Sequence, residues 1–120
     1  MPLSPLFETS TLDQILRDRA FENEKERQEL LQKIIQWLDK YGLKYGINTA
    51  YIFGSLTQPQ QFHQYSDIDI AVEEINADDF FVVMSLISEA MQRDVDLIQI
   101  HKCHFSDRIK LRGIRWTLTN

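Results

Sequence analysis

Three aspartates and one Gly-Ser pair are the residues best placed to do chemistry. Asp67 and Asp69 stand two apart in Asp67-Ile-Asp-Ile-Ala-Val-Glu73, whose period-two alternation predicts a strand. Residues two apart on a strand share a face, so both carboxylates point one way while Ile68, Ile70 and Val72 point the other. Asp96 lies between Val95 and Leu97 in a further apolar run, residues 95–100, which also predicts a strand. If the two strands are neighbours, three carboxylates meet on one sheet face.

Such a face needs a counter-ion. Two like charges about 4 Å apart repel by roughly 4 kcal/mol at an effective dielectric near 20. No lysine or arginine falls within either strand to neutralise them. Magnesium is a hard cation that takes oxygen ligands and keeps positions open for water and phosphate. Two such ions can clamp an in-line phosphoryl displacement. Gly54-Ser55 follows another predicted strand, Thr49-Ala-Tyr-Ile-Phe53. A glycine there lets a ligand approach the backbone, and free N–H groups at a helical turn attract phosphate oxygens. Taken singly, Gly-Ser after a strand is commonly a turn, and Asp-x-Asp is commonly exposed polarity. Together they specify far more.

The remaining segments must position these groups. Residues 1–10 read as a loose leader with two prolines. Thr11 is placed to cap a helix from Leu12, and the charged stretch 22–29 either joins it to the next helix or separates the two. Leu30, Leu31, Ile34, Ile35 and Leu38 recur at helical spacing, and Gly42 is a stop. Residues 56–66, with Pro59 and four glutamines, read as a loop. Asn76 is placed to cap a helix burying Phe80, Val83, Met84, Ile87, Ala90 and Met91. A short helix around 104–112 ends at Gly113, and Ile114–Leu118 forms a last strand. The order predicts an α/β (α+β) domain: a small mixed β-sheet with helices packed on one face. Residues 1–25 form an N-terminal extension, helical from about 12, and 26–120 the domain.

Charge is divided unevenly along the 120 residues. The net −5 splits into −1 over residues 1–46, −8 over 47–100, where Arg93 is the one basic residue, and +4 over 101–120. A sequence pI near 5.1 argues against coating nucleic acid. A single cysteine, Cys103, suits a reducing compartment, and no apolar run would span a bilayer, so the expectation is cytoplasmic, with no membrane partner. His63, His101 and His104 share no ligand spacing with Cys103 that would make a zinc site. Trp37 and Trp116 read as core or edge aromatics.

The segment Tyr51-Ile-Phe-Gly-Ser55, the eleven residues 56–66, then Asp67-Ile-Asp-Ile-Ala-Val72 resembles the signature of the DNA polymerase beta-type nucleotidyltransferases. More closely, it resembles the minimal nucleotidyltransferases of bacteria and archaea, over roughly residues 30–118. The resemblance implies the nucleotidyltransferase fold. It implies that Gly54 and Ser55 hold nucleotide phosphates, and that Asp67, Asp69 and Asp96 are catalytic and bind two Mg2+ ions. Asp94, on the same strand parity, is the rival for the third role; the apolar neighbours of Asp96 favour Asp96. A hydroxyl would attack the α-phosphate of a nucleoside triphosphate and release pyrophosphate. Two features depart from the family. Leu56 stands where an arginine often follows Gly-Ser, and residues 56–66 hold no lysine, arginine or glycine. Lys110, Arg112, Arg115 or a partner would then supply the cation, with Thr57 and His63 as weaker candidates. The second departure is the extension, either a partner-binding arm or an extra packed helix.

By the same resemblance the chain is an antitoxin that transfers AMP from ATP to a tyrosine of a HEPN-domain toxin. A catalytically weak antitoxin acting by binding alone is the second reading. An aminoglycoside-type transferase is the third. A homo-oligomer is compatible with all three.

Overall fold

The computed structural model describes residues 5–119, with side chains from residue 11 onward. Its first element is one helix, α1, of 37 residues from Pro5 to Tyr41. This corrects one expectation and decides between two readings left open. The helix does not begin after Thr11, and residues 22–29 do not interrupt it; residues 1–4 of the expected leader lie outside the described residues. No glycine or proline occurs between Leu6 and Tyr41, and Pro5 falls in the first turn, where a missing N–H costs nothing. The polar stretch is rich in Glu, Lys, Arg and Gln, all good helix formers. Side-chain pairs one turn apart reinforce it: Gln14 Nε2 donates to Asp18 at 2.9 Å and Gln28 Nε2 to Glu24 at 2.9 Å. α1 ends just before Gly42, the expected stop, although Gly42 keeps helical angles (φ −54°, ψ −49°) and the left-handed glycine is Gly46, after a short 3-10 turn.

The strands are β1 (Thr49–Phe53), β2 (Ile68–Val72), β3 (Val95–Gln99) and β4 (Ile114–Thr117). They form one sheet in the order β3-β2-β1-β4. β1 runs antiparallel to β2 and β4, whereas β2 and β3 are parallel. The parallel pair is joined through α2 (Phe80–Met91), as a parallel connection requires. α3 (Ser106–Arg112) precedes β4 and starts two residues later than the spacing suggested.

Strand parity sorts the side chains. Leu30, Ile34, Trp37 and Leu38 of α1 and Val83 and Ile87 of α2 pack with Ala50, Ile52, Ile68, Ile70, Val72, Val95 and Leu97. That face holds the main core. Ala90, expected in it, is exposed. On the opposite face Tyr51, Ala71, Ile100 and Ile109 form a small second cluster, so α3 covers part of that side. The tryptophans are both buried, and Trp116 Nε1 donates to Asp39 at 2.7 Å. Asn76 does not cap by its side chain. It precedes a 3-10 turn, Ala77–Asp79, and its amide donates to Asp79 Oδ2 at 3.1 Å instead. Among the described residues no helix is long and apolar enough to cross a membrane.

Candidate active site

The strand register brings the aspartates together. Asp69 lies directly opposite Asp96 in the parallel β2–β3 pair, on the face away from α1 and α2. Asp67 sits one residue before β2 and Asp94 one before β3, where the Asp94 carbonyl accepts from Ile68 N at 2.9 Å. Asp67 and Asp96 are exposed, while Asp69 is partly buried. Burial, then the charge of Asp96, then that of Asp67 push the Asp69 carboxyl up to about 6. The neighbour that perturbs Asp69 most is therefore Asp96, and Asp94 does not figure among the causes.

Among the described residues none of the ion pairs engages these three aspartates. Nor are three acidic, histidine or cysteine side chains gathered into a metal-holding cage. The carboxylates share a face without closing on one point. The donor set still fits a hard divalent cation: all oxygen, mutually repelling, with one member raised toward protonation.

Gly54 completes the wall. It has φ +77° and opens a 3-10 turn, Gly54–Thr57, directly after β1. A Cβ at this position would lie 2.3 Å from Asp69 Oδ2, so only glycine lets the turn press against the carboxylate. Ser55 follows in the same turn. Thr57 Oγ1 is committed to the Gly54 carbonyl at 2.8 Å, and His63 Nδ1 accepts from Tyr65 N at 3.1 Å.

The loop between the two motifs is held by arginines that come from outside it. Arg27 of α1, only 7% exposed, donates from Nη1 to the Leu56 carbonyl at 3.0 Å. Its other donors engage Glu24 at 2.8 and 2.9 Å. The guanidinium lowers the Glu24 carboxyl to about 2, and Glu24 in turn raises Arg27. Arg93 donates from Nη1 to the Ser66 carbonyl at 2.7 Å, pairs with Glu26 of α1, and lies 4.7 Å over the Phe62 ring. Neither arginine was singled out as a site residue from its sequence position. For Arg93 a signal existed: it is the one basic residue between 47 and 100.

Two of the tail cations expected near the phosphates can be located against the sheet. Lys110 pairs with Glu73 at 3.8 Å. Arg115 is opposite Tyr51 in the register, on the aspartate face but across β1 from the carboxylates. Asp67 borders a polar hollow of about 480 Å³ with Gln64, Ser66 and Asp94. Another hollow, about 740 Å³, runs beside edge strand β3 between Phe80, Phe81, Ile98 and Phe105, with none of the three aspartates in its wall.

These features have counterparts among known proteins. Two mutant forms of the toxin–antitoxin MntA-HpeT share the fold with a TM-score of 0.54 and 26% identity over 74% of this chain. The matches span 72% and 73% of those chains. A toxin–antitoxin with AMP-PNP gives a TM-score of 0.50 at 24% identity, over 82% of this chain and 75% of that one. None of the curated proteins matches the chain. The family model described as Polymerase beta, Nucleotidyltransferase matches residues 32–115, which include Gly54, Ser55 and all three aspartates. The chain belongs to this polymerase beta nucleotidyltransferase family, on its minimal-nucleotidyltransferase side.

Proposed function

We propose that the protein transfers a nucleoside monophosphate, AMP from ATP, to a hydroxyl of a partner toxin, a tyrosine of a HEPN-domain protein, and acts as its antitoxin. The observation that carries the reading is the juxtaposition of Asp69 with Asp96 across β2–β3, with Gly54 pressed against Asp69. The likeness to MntA-HpeT supports a toxin as the partner.

Asp67, Asp69 and Asp96 would hold two magnesium ions, which when bound acidify the acceptor hydroxyl and absorb charge on the leaving pyrophosphate. The Gly54-Ser55 turn seats the phosphates beside Asp69. Asp96, on edge strand β3, stands where an acceptor can arrive from outside the sheet. The acceptor oxygen bonds to the α-phosphorus as the bond to the β-phosphate oxygen breaks, and the hydroxyl proton passes to the carboxylate side.

The test incubates the full chain with labelled ATP, magnesium and the product of the adjoining reading frame. Label should appear on that protein. Asp67→Asn and Asp69→Asn should each lower transfer by about a hundredfold or more, as loss of a charge-stabilising group does. An unlabelled partner beside a folded wild-type chain would sink the reading. A second reading, neutralisation by contact alone, is favoured by one observation: loop 56–66 has no basic residue, and both arginines beside it are spent on carbonyls and glutamates. In that case the Asp67→Asn variant still protects cells.

A further inference from the structure

Loop 56–66 joins the turn read as the phosphate seat to the aspartates read as the metal pair. Its length and its composition leave its shape undetermined, since it is polar, without regular structure beyond its first turn, and mostly exposed. Its two ends are nevertheless each fixed at a backbone carbonyl by a buried guanidinium. The carbonyl of Leu56, the residue after Ser55, accepts from Arg27 at 3.0 Å. The carbonyl of Ser66, the residue before Asp67, accepts from Arg93 at 2.7 Å. Arg93 also donates to the His63 carbonyl at 3.3 Å and covers the buried Phe62 ring. Each guanidinium is then anchored to a carboxylate of α1, Glu24 for Arg27 and Glu26 for Arg93. Glu24, Glu26 and Arg27 precede residue 32, where the family match begins.

We infer that Arg27 and Arg93 are positioning residues for nucleotide transfer: they set the spacing between the Gly54-Ser55 turn and the Asp67–Asp69 pair by clamping both ends of loop 56–66 to α1. The inference rests on the transfer reading above. A planar fork with several donors suits this task, because one guanidinium reaches a carbonyl and a carboxylate together. Lysine carries the charge but not the fork. The paired glutamates occupy the positive charge, so the clamp shapes the loop rather than binding phosphate.

The experiment uses the full chain, with Mg2+-ATP as the ligand and the product of the adjoining reading frame as acceptor. Arg27→Met and Arg93→Met remove the clamps at similar side-chain length. Arg27→Lys and Arg93→Lys restore part of each. Glu26→Gln, at a half-exposed site, removes the carboxylate that anchors Arg93 while leaving an amide oxygen in reach, and remains informative if a methionine variant fails to fold. Below the unfolding transition, the methionine variants should show KM for ATP raised about tenfold, the scale expected of a small misplacement. Amide exchange across residues 56–67 should quicken, and lysine should recover part of both effects. A residue that merely stabilised the fold would lower Tm and leave KM unchanged. Wild-type KM and exchange in folded Arg93→Met or Glu26→Gln would overturn the inference. So would a lower KM in Glu24→Gln, which would mark Arg27 as a masked phosphate ligand. If the wild type labels nothing, the transfer reading falls, while Mg2+-ATP affinity and amide exchange still decide the clamp.

Discussion

Asp69 concentrates the electrostatics of the site. Its carboxyl is pushed up to about 6, first by burial and then by Asp96 and Asp67. An unfolded aspartate titrates near 4, so between about pH 4 and 6 the cation-free fold keeps a proton that the unfolded chain has released. The contribution of this group to stability is fully present below about pH 4 and is lost as the pH rises through 6. Asp69→Asn should flatten that dependence. It should also raise stability at pH 8 by about 1 kcal/mol, a figure reduced for the solvent that screens a partly buried group. Denaturant titrations in EDTA at pH 4, 6 and 8 measure this, and a variant weaker than wild type at pH 8 would contradict it. The same residue shows what sequence carries: period two put Asp67 and Asp69 on one face before any fold was known. The apolar neighbours of Asp96 already favoured it over Asp94, but that it lies directly opposite Asp69 follows from the β2–β3 register, which no single strand contains.

At the scale of elements, the junctions between them carry the specificity. The end of α1 meets β4 where Gly42 passes beneath Trp116. A Cβ on Gly42 would come within 2.7 Å of the Trp116 ring and 2.6 Å of the Leu38 carbonyl oxygen. Trp116 cannot yield freely, since it is buried and its N–H is bonded to Asp39. Gly42→Ala should therefore destabilise the fold by about 2 kcal/mol through overpacking. Thermal melts of the variant check the value, and an unchanged midpoint would show that the junction has slack. As a helix stop Gly42 was legible in the sequence; its tight seat under a tryptophan 74 residues later was not. Loop 56–66 behaves in the same way. Its composition identifies it as a loop, but the clamps at Leu56 and Ser66 come from residues 29 and 27 positions away.

The whole molecule measures 67 × 27 × 25 Å, and α1 is the reason for its long axis. At 1.5 Å per residue a 37-residue helix reaches about 55 Å, longer than the sheet needs. Every side chain from residue 11 to 22 is exposed, including Leu12, Ile15, Leu16 and Phe21. Leu12 and Leu16 continue the helical face that Leu30 and Ile34 bury further along. A stretch without buried contacts adds little to global stability. Deleting residues 1–20 should leave the thermal midpoint within about 2 °C while reducing far-UV helicity. A larger fall would mean that the stretch is packed against the body in solution.

The sequence by itself determined the local facts. The β1 strand over 49–53, the shared face of the Asp-x-Asp pair, the glycine turn after β1 and the apolar stripe of the second half of α1 all follow from neighbours within a few residues. Periodicity and backbone freedom are local properties, and they survive translation into structure. Only the tertiary structure decided which strands are neighbours, that Asp69 faces Asp96, and that Arg27 and Arg93 close on distant carbonyls. It also decided that α1 runs unbroken through its charged middle. Those outcomes depend on burying one sheet face under two helices, a condition that no short window of residues contains.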